Sequence, residues 1–243
     1  MRVTIAQLCV ERAVARNKEK ILAVARAAQP DDWVVFPEGA LSGYFPEEDG
    51  FLRDLDPEEL DEAIREVGRQ AAHSRCYCVL GAAIRTNGVW HNAVVIQSPL
   101  DSPFTYRKIE LSRLDKRHFT PGVDLPVHST SGVTVGVQMC RELIFPEPWT
   151  TLRRKGAQVI LHINNAIKPH DQVWKHILIS RAIENALFVC SVNNAAAPQE
   201  LTSYLIAPSG QILLEAGRQV EQTLSQEIDL GAVTSSLAGR TDF

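Results

Sequence analysis

The chain opens on an apolar–polar alternation, and Arg2–Cys9 predicts a strand from the first residues. Val14–Ala28 changes to a helical period, with Val14, Ile21, Ala25 and Ala28 on one face. Trp33–Phe36 is a short, wholly apolar strand that stops at Pro37-Glu38-Gly39. Asp56-Pro57-Glu58-Glu59 combines an N-cap acid, a proline at the first helical position and a capping-box glutamate, predicting a helix to about Ser74. Cys76–Ile84 and Val89–Gln97 flank an Asn87-Gly88 turn and predict a hairpin. Phe104–Lys108 predicts another strand, followed by a polar loop to Gly122.

The second half repeats the alternation. Val133–Met139 is a strand ending at Cys140, Pro146–Lys155 a short helix, and Gln158–Ile163 a strand. Gln172–Ala186 is a helix whose inner side is expected to carry Val173, Trp174, Ile177 and Leu178. Leu187–Val192, Ser203–Ala207, Gln211–Glu215 and Thr223–Asp229 complete the strands, with Pro208-Ser209-Gly210 as a turn. Helical crossovers mixed with antiparallel hairpins predict an α/β protein with two sheets face to face and helices outside. No Ser/Gly/Pro-rich linker separates the halves, so residues 1–243 are expected to form one domain.

Composition narrows the partners. At 45% hydrophobic and 22% charged, the 243 residues suit a globular body. The 25 basic against 29 acidic residues give a formal charge of -4, which offers no field for a nucleic-acid backbone. No apolar run approaches the ~18–20 residues needed to cross a bilayer, and no signal-peptide pattern precedes the first strand. Cys9, Cys76, Cys78, Cys140 and Cys190 are an odd set for a disulfide framework, so a reduced cytoplasmic location is expected.

Three strand ends carry a reactive residue after an apolar run: Glu38, Lys108 and Cys140. The polar pair Arg141-Glu142 implies that the chain leaves the core after Cys140. A thiol whose free pKa is near 8.5 needs a base to become a nucleophile. A carboxylate held in a dehydrated site accepts that proton, and a fixed ammonium stabilises the oxyanion that forms on a carbonyl or nitrile. Such a set performs acyl transfer without a metal or cofactor, and none is expected.

These residues resemble the carbon–nitrogen hydrolase (nitrilase) superfamily. The likeness rests on Phe36-Pro37-Glu38, Tyr106-Arg107-Lys108, and Cys140 with Phe145-Pro146-Glu147 following. Phe119-Thr120-Pro121-Gly122, Arg181-Ala182-Ile183-Glu184-Asn185 and Ile206-Ala207-Pro208-Ser209-Gly210 support it in the same order. The resemblance implies a four-layer αββα sandwich that pairs into a homodimer or higher homo-oligomer. It implies Glu38 as base and then acid, Cys140 as the thioester carrier, and Lys108 with the Arg141 backbone N–H as oxyanion holders. Asp115 stands where several members have a glutamate supporting the lysine, one methylene longer. Asn165 falls at a pocket position of the family, and Tyr44 with Phe45 is expected to wall the pocket. An arginine that grips substrate carboxylates in members cleaving N-carbamoyl amino acids has Leu143-Ile144 in its place.

The expected activity is hydrolysis of the carboxamide of a small metabolite, with a nitrilase or an N-carbamoyl (ureido) amide hydrolase as alternatives within the family. A non-catalytic binding relative is the alternative from another class; retention of Glu38, Lys108 and Cys140 argues for the enzyme. His73, Cys76 and Cys78 lack the second pair a zinc site needs. His162, His170 and His176 follow Cys140, but a Cys–His protease arrangement does not suit a strand histidine and an amphipathic helix.

Overall fold

The computed structural model describes residues 1–166 and 171–238. Its twelve strands fall into two six-stranded sheets. The first contains β1 (Arg2–Gln7), β2 (Asp32–Val35), β3 (Tyr77–Thr86), β4 (Val89–Gln97), β5 (Phe104–Arg107) and β12 (Gln222–Glu227), in the order β12-β1-β2-β3-β4-β5. The second contains β6 (Val127–Thr130), β7 (Val133–Met139), β8 (Val159–Ile163), β9 (Phe188–Val192), β10 (Tyr204–Ile206) and β11 (Ile212–Glu215), in the order β11-β10-β9-β8-β7-β6.

Each sheet has a parallel centre, β1-β2-β3 or β7-β8-β9, extended by antiparallel neighbours. The parallel crossovers are helices: α1 (Val14–Ala27) and α2 (Pro57–Ser74) in the first half, α3 (Pro146–Arg154) and α4 (Asp171–Asn185) in the second. A short α5 (Gly231–Ala238) follows β12. Local chemistry fixes the boundaries. Asp56 accepts a hydrogen bond from the N–H of Glu58 at 2.9 Å and caps α2, while Asn87 and Gly88 both take positive φ in the β3–β4 turn.

Three apolar layers follow from this arrangement. Val3, Ile5, Trp33 and Tyr77 of the first sheet meet Val135, Val137, Leu161 and Val192 of the second in the middle. Ile21, Leu60 and Val67 seat α1 and α2 against the outer face of the first sheet. Trp149, Leu152, Leu178 and Ala182 seat α3 and α4 against the second. The result is the four-layer αββα sandwich.

The periodicity misses two elements and misplaces one side chain. β6 lies at the rim of its sheet with only β7 as neighbour, so its His128-Ser129-Thr130 sequence needs no apolar run. The Gly231–Ala238 turns of α5 are too short to show a period. Val173, expected on the inner side of α4, is exposed, whereas Trp174 and Leu178 are buried.

Candidate active site

Four chain segments converge beyond the strand ends. Glu38 leaves β2 two residues after Phe36, and its own N–H donates to the carbonyl of Asn164, just past β8, at 3.2 Å. That close approach depends on Gly81 in β3: a Cβ there would lie 2.3 Å from the carbonyl oxygen of Pro37 and 2.8 Å from Cα of Glu38. Lys108 follows β5, and its backbone N–H donates to the carbonyl of Asn92 in β4. Cys140 follows β7, and its φ of 48° puts a non-glycine residue in the left-handed region, which costs about 1–3 kcal/mol. A one-turn 3-10 helix, Cys140–Ile144, begins there.

The charged groups are assembled with no solvent exposure of their side chains. Lys108 Nζ donates to Glu38 Oε1 at 2.8 Å and to Asp115 Oδ2 at 2.9 Å. Asn92 Nδ2 donates to the same Glu38 oxygen at 2.7 Å, and the Asn165 N–H donates to the other at 3.1 Å. Asp115 reaches the lysine because a 3-10 turn, Asp115–Arg117, carries it inward. Ser112 N–H donates to Asp115 Oδ2 at 2.9 Å, and Tyr44 Oη donates to its Oδ1 at 2.6 Å. The shorter acid is therefore fully engaged.

Electrostatics follow from burial and these neighbours. Burial raises the Cys140 pKa well above that of a free thiol, the Glu38 and Asp115 charges add to the rise, and Lys108 opposes it. The resting sulfur is a thiol at neutral pH. Burial alone would lower Lys108, but the Glu38 and Asp115 carboxylates outweigh it and fix the ammonium. Burial pushes the Asp115 carboxyl up, yet Lys108 and Tyr44 more than compensate, and its pKa is lowered.

A cleft of about 260 Å³ opens onto this assembly. Lys108, Cys140, Asn165 and Tyr44 line it together with Leu114 and Trp174. The Asn165 side chain is turned to its own neighbours: its Oδ1 accepts from Asn194 Nδ2 at 2.8 Å and from Gln199 Nε2 at 3.1 Å. The Arg141 guanidinium donates to the carbonyl of Leu111 at 2.9 Å and lies over the Phe145 ring at 5.4 Å.

Several participants escape sequence reasoning. Glu142 belongs to a polar pair that implies an exit from the core, but it is 1% exposed. Its carboxylate accepts from Tyr106 Oη at 2.7 Å, Ile109 N–H at 2.8 Å, Glu110 N–H at 3.1 Å and Met139 N–H at 2.7 Å. It thereby ties the Lys108 segment to the Cys140 elbow. Asn92 sits within an apolar strand, where a buried amide signals an unseen partner. Trp174 has a core position in the helical pattern yet also faces the cleft.

His162 is also drawn in, though not towards the sulfur. Its Nε2 lies 3.0 Å from the Cys140 carbonyl oxygen and its Nδ1 lies 3.0 Å from Ser191 Oγ. A carbonyl only accepts, so Nε2 carries the proton and Nδ1 is the acceptor. Burial lowers its pKa to about 4. His176 lies on α4, where its Nδ1 is 2.7 Å from the Gln172 carbonyl oxygen, and His170 lies outside the described residues. Cys76 and Cys78 sit 4.0 Å apart at sulfur in the core beneath α1 and α2. No cluster of three His, Cys, Asp or Glu suited to a metal occurs among the described residues. No described helix is long and apolar enough to cross a membrane.

Residues 2–236 match the family model described as carbon-nitrogen hydrolase. An (R)-stereoselective amidase of a Pseudomonas species is 30% identical over 94% of this chain and 86% of its own length. A 2-oxoglutaramate amidase of Bacillus subtilis is 29% identical over 85% of this chain and 82% of the relative. The crystal structure of Saccharomyces cerevisiae Nit3, a member of branch 10 of the nitrilase superfamily, superposes with a TM-score of 0.85. It shares 21% identity, covering 98% of this chain and 93% of that one.

Proposed function

The chain belongs to the carbon–nitrogen hydrolase family, and from that premise we propose that it hydrolyses the carboxamide of a small molecule through a Cys140 thioester. The observation that carries this reading is the shared Lys108: one buried ammonium bonded to two carboxylates on the floor of a cleft that also presents Cys140.

As the sulfur attacks the amide carbon, Glu38 takes the thiol proton. Transfer must accompany attack, because the field of Glu38 and the burial of Cys140 disfavour a free thiolate. An ammonium has three N–H donors. Two of those of Lys108 hold Glu38 and Asp115, leaving the third for the oxyanion, with the backbone N–H of Arg141 as a second donor. Collapse of the tetrahedral species breaks the C–N bond as Glu38 returns the proton to the leaving nitrogen, releasing ammonia or an amine. Water then gives a proton to Glu38 and its oxygen to the acyl carbon. The acid departs and the sulfur recovers its proton. Asp115 and Tyr44 keep Lys108 aimed, while Asn165 contributes its backbone to Glu38 and its surface to the cleft.

The test is ammonia release from a panel of small carboxamides, with intact-mass analysis for an acyl adduct on Cys140. Cys140→Ala is expected to abolish both signals; full turnover by that variant sinks the mechanism.

We read the chain as one domain, because both sheets share the central apolar layer. Exposed Ile144, Val173 and Ile183 on and beside α4 favour pairing into a homodimer, which sedimentation tests. Five free cysteines favour the reducing cytoplasm.

A further inference from the structure

A second cavity, about 510 Å³, opens on the other side of the strands that carry Asn92 and Lys108. His91 of β4, Arg107 of β5 and Lys155 after α3 line it, with Asp124 as the acid among its walls. Consecutive strand residues face opposite sides. Asn92 and Lys108 turn to Glu38, while His91 and Arg107 turn to the cavity. The wall is also tied to the lysine: the Gly122 N–H donates to the Lys108 carbonyl at 2.9 Å. Only glycine fits there, because a Cβ would stand 2.3 Å from the Arg107 carbonyl oxygen.

The basic groups lack acidic partners. Among the described residues neither Arg107 nor Lys155 forms an ion pair. Arg107 Nε is buried without a hydrogen-bond partner. Lys155 Nζ donates to the Leu125 carbonyl at 2.6 Å, which leaves two further protons. A guanidinium with an unmet buried donor, lining the same cavity as an ammonium, matches the planar oxygens of a phosphate or carboxylate. Asp124 offsets at most one of the two cations.

We propose that this cavity is a second binding site, for the oxyanion group of a small ligand, back to back with the reaction cleft. Isothermal titration of the full chain at constant ionic strength tests it, with inorganic phosphate in one arm and acetate in the other. One saturable site per chain is expected in at least one arm; the arm that saturates separates a phosphate source from a carboxylate source. Arg107→Leu should weaken that binding at least tenfold and Lys155→Ala about threefold or more. Arg26→Ala on exposed α1 should leave it unchanged. Lys155→Ala carries the test alone if circular dichroism shows Arg107→Leu unfolded. No saturable binding in either arm, or wild-type affinity in Lys155→Ala, overturns the site.

Discussion

Asp115 and Glu142 are both buried carboxylates within one fold, and their surroundings have opposite effects. Asp115 touches an ammonium, a phenol and a backbone N–H, and its pKa falls despite burial. Glu142 has more hydrogen bonds, all from neutral donors, and burial keeps its pKa raised. Neutral donors satisfy lone pairs without cancelling the cost of removing a charge from water; a cation does both. The Lys108 cluster is therefore arranged for charge, and the Glu142 cluster for shape. The first faces the cleft, and the second locks together the two segments that deliver Lys108 and Cys140.

Substitution can break that distinction. Lys108→Met leaves Glu38 and Asp115 buried without their cation, an expected loss of about 3–5 kcal/mol in urea unfolding together with all turnover. A loss below 1 kcal/mol would mean that water reaches the cluster. Glu38→Gln leaves Asp115 paired with Lys108 but sets its amide N–H₂ against the Asn165 N–H, so about 1–3 kcal/mol should be lost. Here kcat/KM should drop roughly 10²–10⁴-fold through loss of the proton acceptor.

The intermediate effects come from groups supporting the elbow. His162 has a folded pKa of about 4 against 6.5 in the unfolded chain. Its neutral form is favoured in the fold, so its contribution is complete above 6.5. As pH falls from 6.5 to 4 the unfolded chain binds the proton first, and roughly 3 kcal/mol is lost. Unfolding measured across that window should show the slope, and His162→Gln should flatten it. Glu142→Gln sets an amide N–H₂ against either the Met139 N–H or the Tyr106 side, at a cost of about 1–3 kcal/mol. Its kcat/KM should fall less than tenfold, far short of the Glu38→Gln loss at a similar cost in stability; equal losses of activity would erase the contrast. Tyr44→Phe, which removes one hydrogen bond to Asp115, should cost about 1 kcal/mol in the same unfolding assay.

Strand ends were the legible part of the site. An apolar run that stops at a reactive residue identifies both an edge of the core and the place where a side chain can enter a cleft, as with Glu38 and Cys140. Period and capping likewise foretold β7, the β3–β4 hairpin and α2, because each is determined by neighbours in sequence. Contacts made across the fold left no such mark. Glu142 reads as a surface acid because three of its four donors come from the Tyr106–Glu110 stretch, more than thirty positions earlier. The role of Gly81 depends on a backbone more than forty positions earlier. Asp115 was visible only as a position; its inward turn depends on Ser112 and Lys108.

The φ of Cys140 bears on how this chain tolerates change. Glycine occupies that part of conformational space without penalty, so Cys140→Gly should relieve on the order of 1 kcal/mol while silencing the reaction. Durability and chemistry thus pull against each other at one atom. A selection for thermal endurance alone would drift toward an inert descendant, and only a simultaneous demand for product keeps sulfur on that elbow.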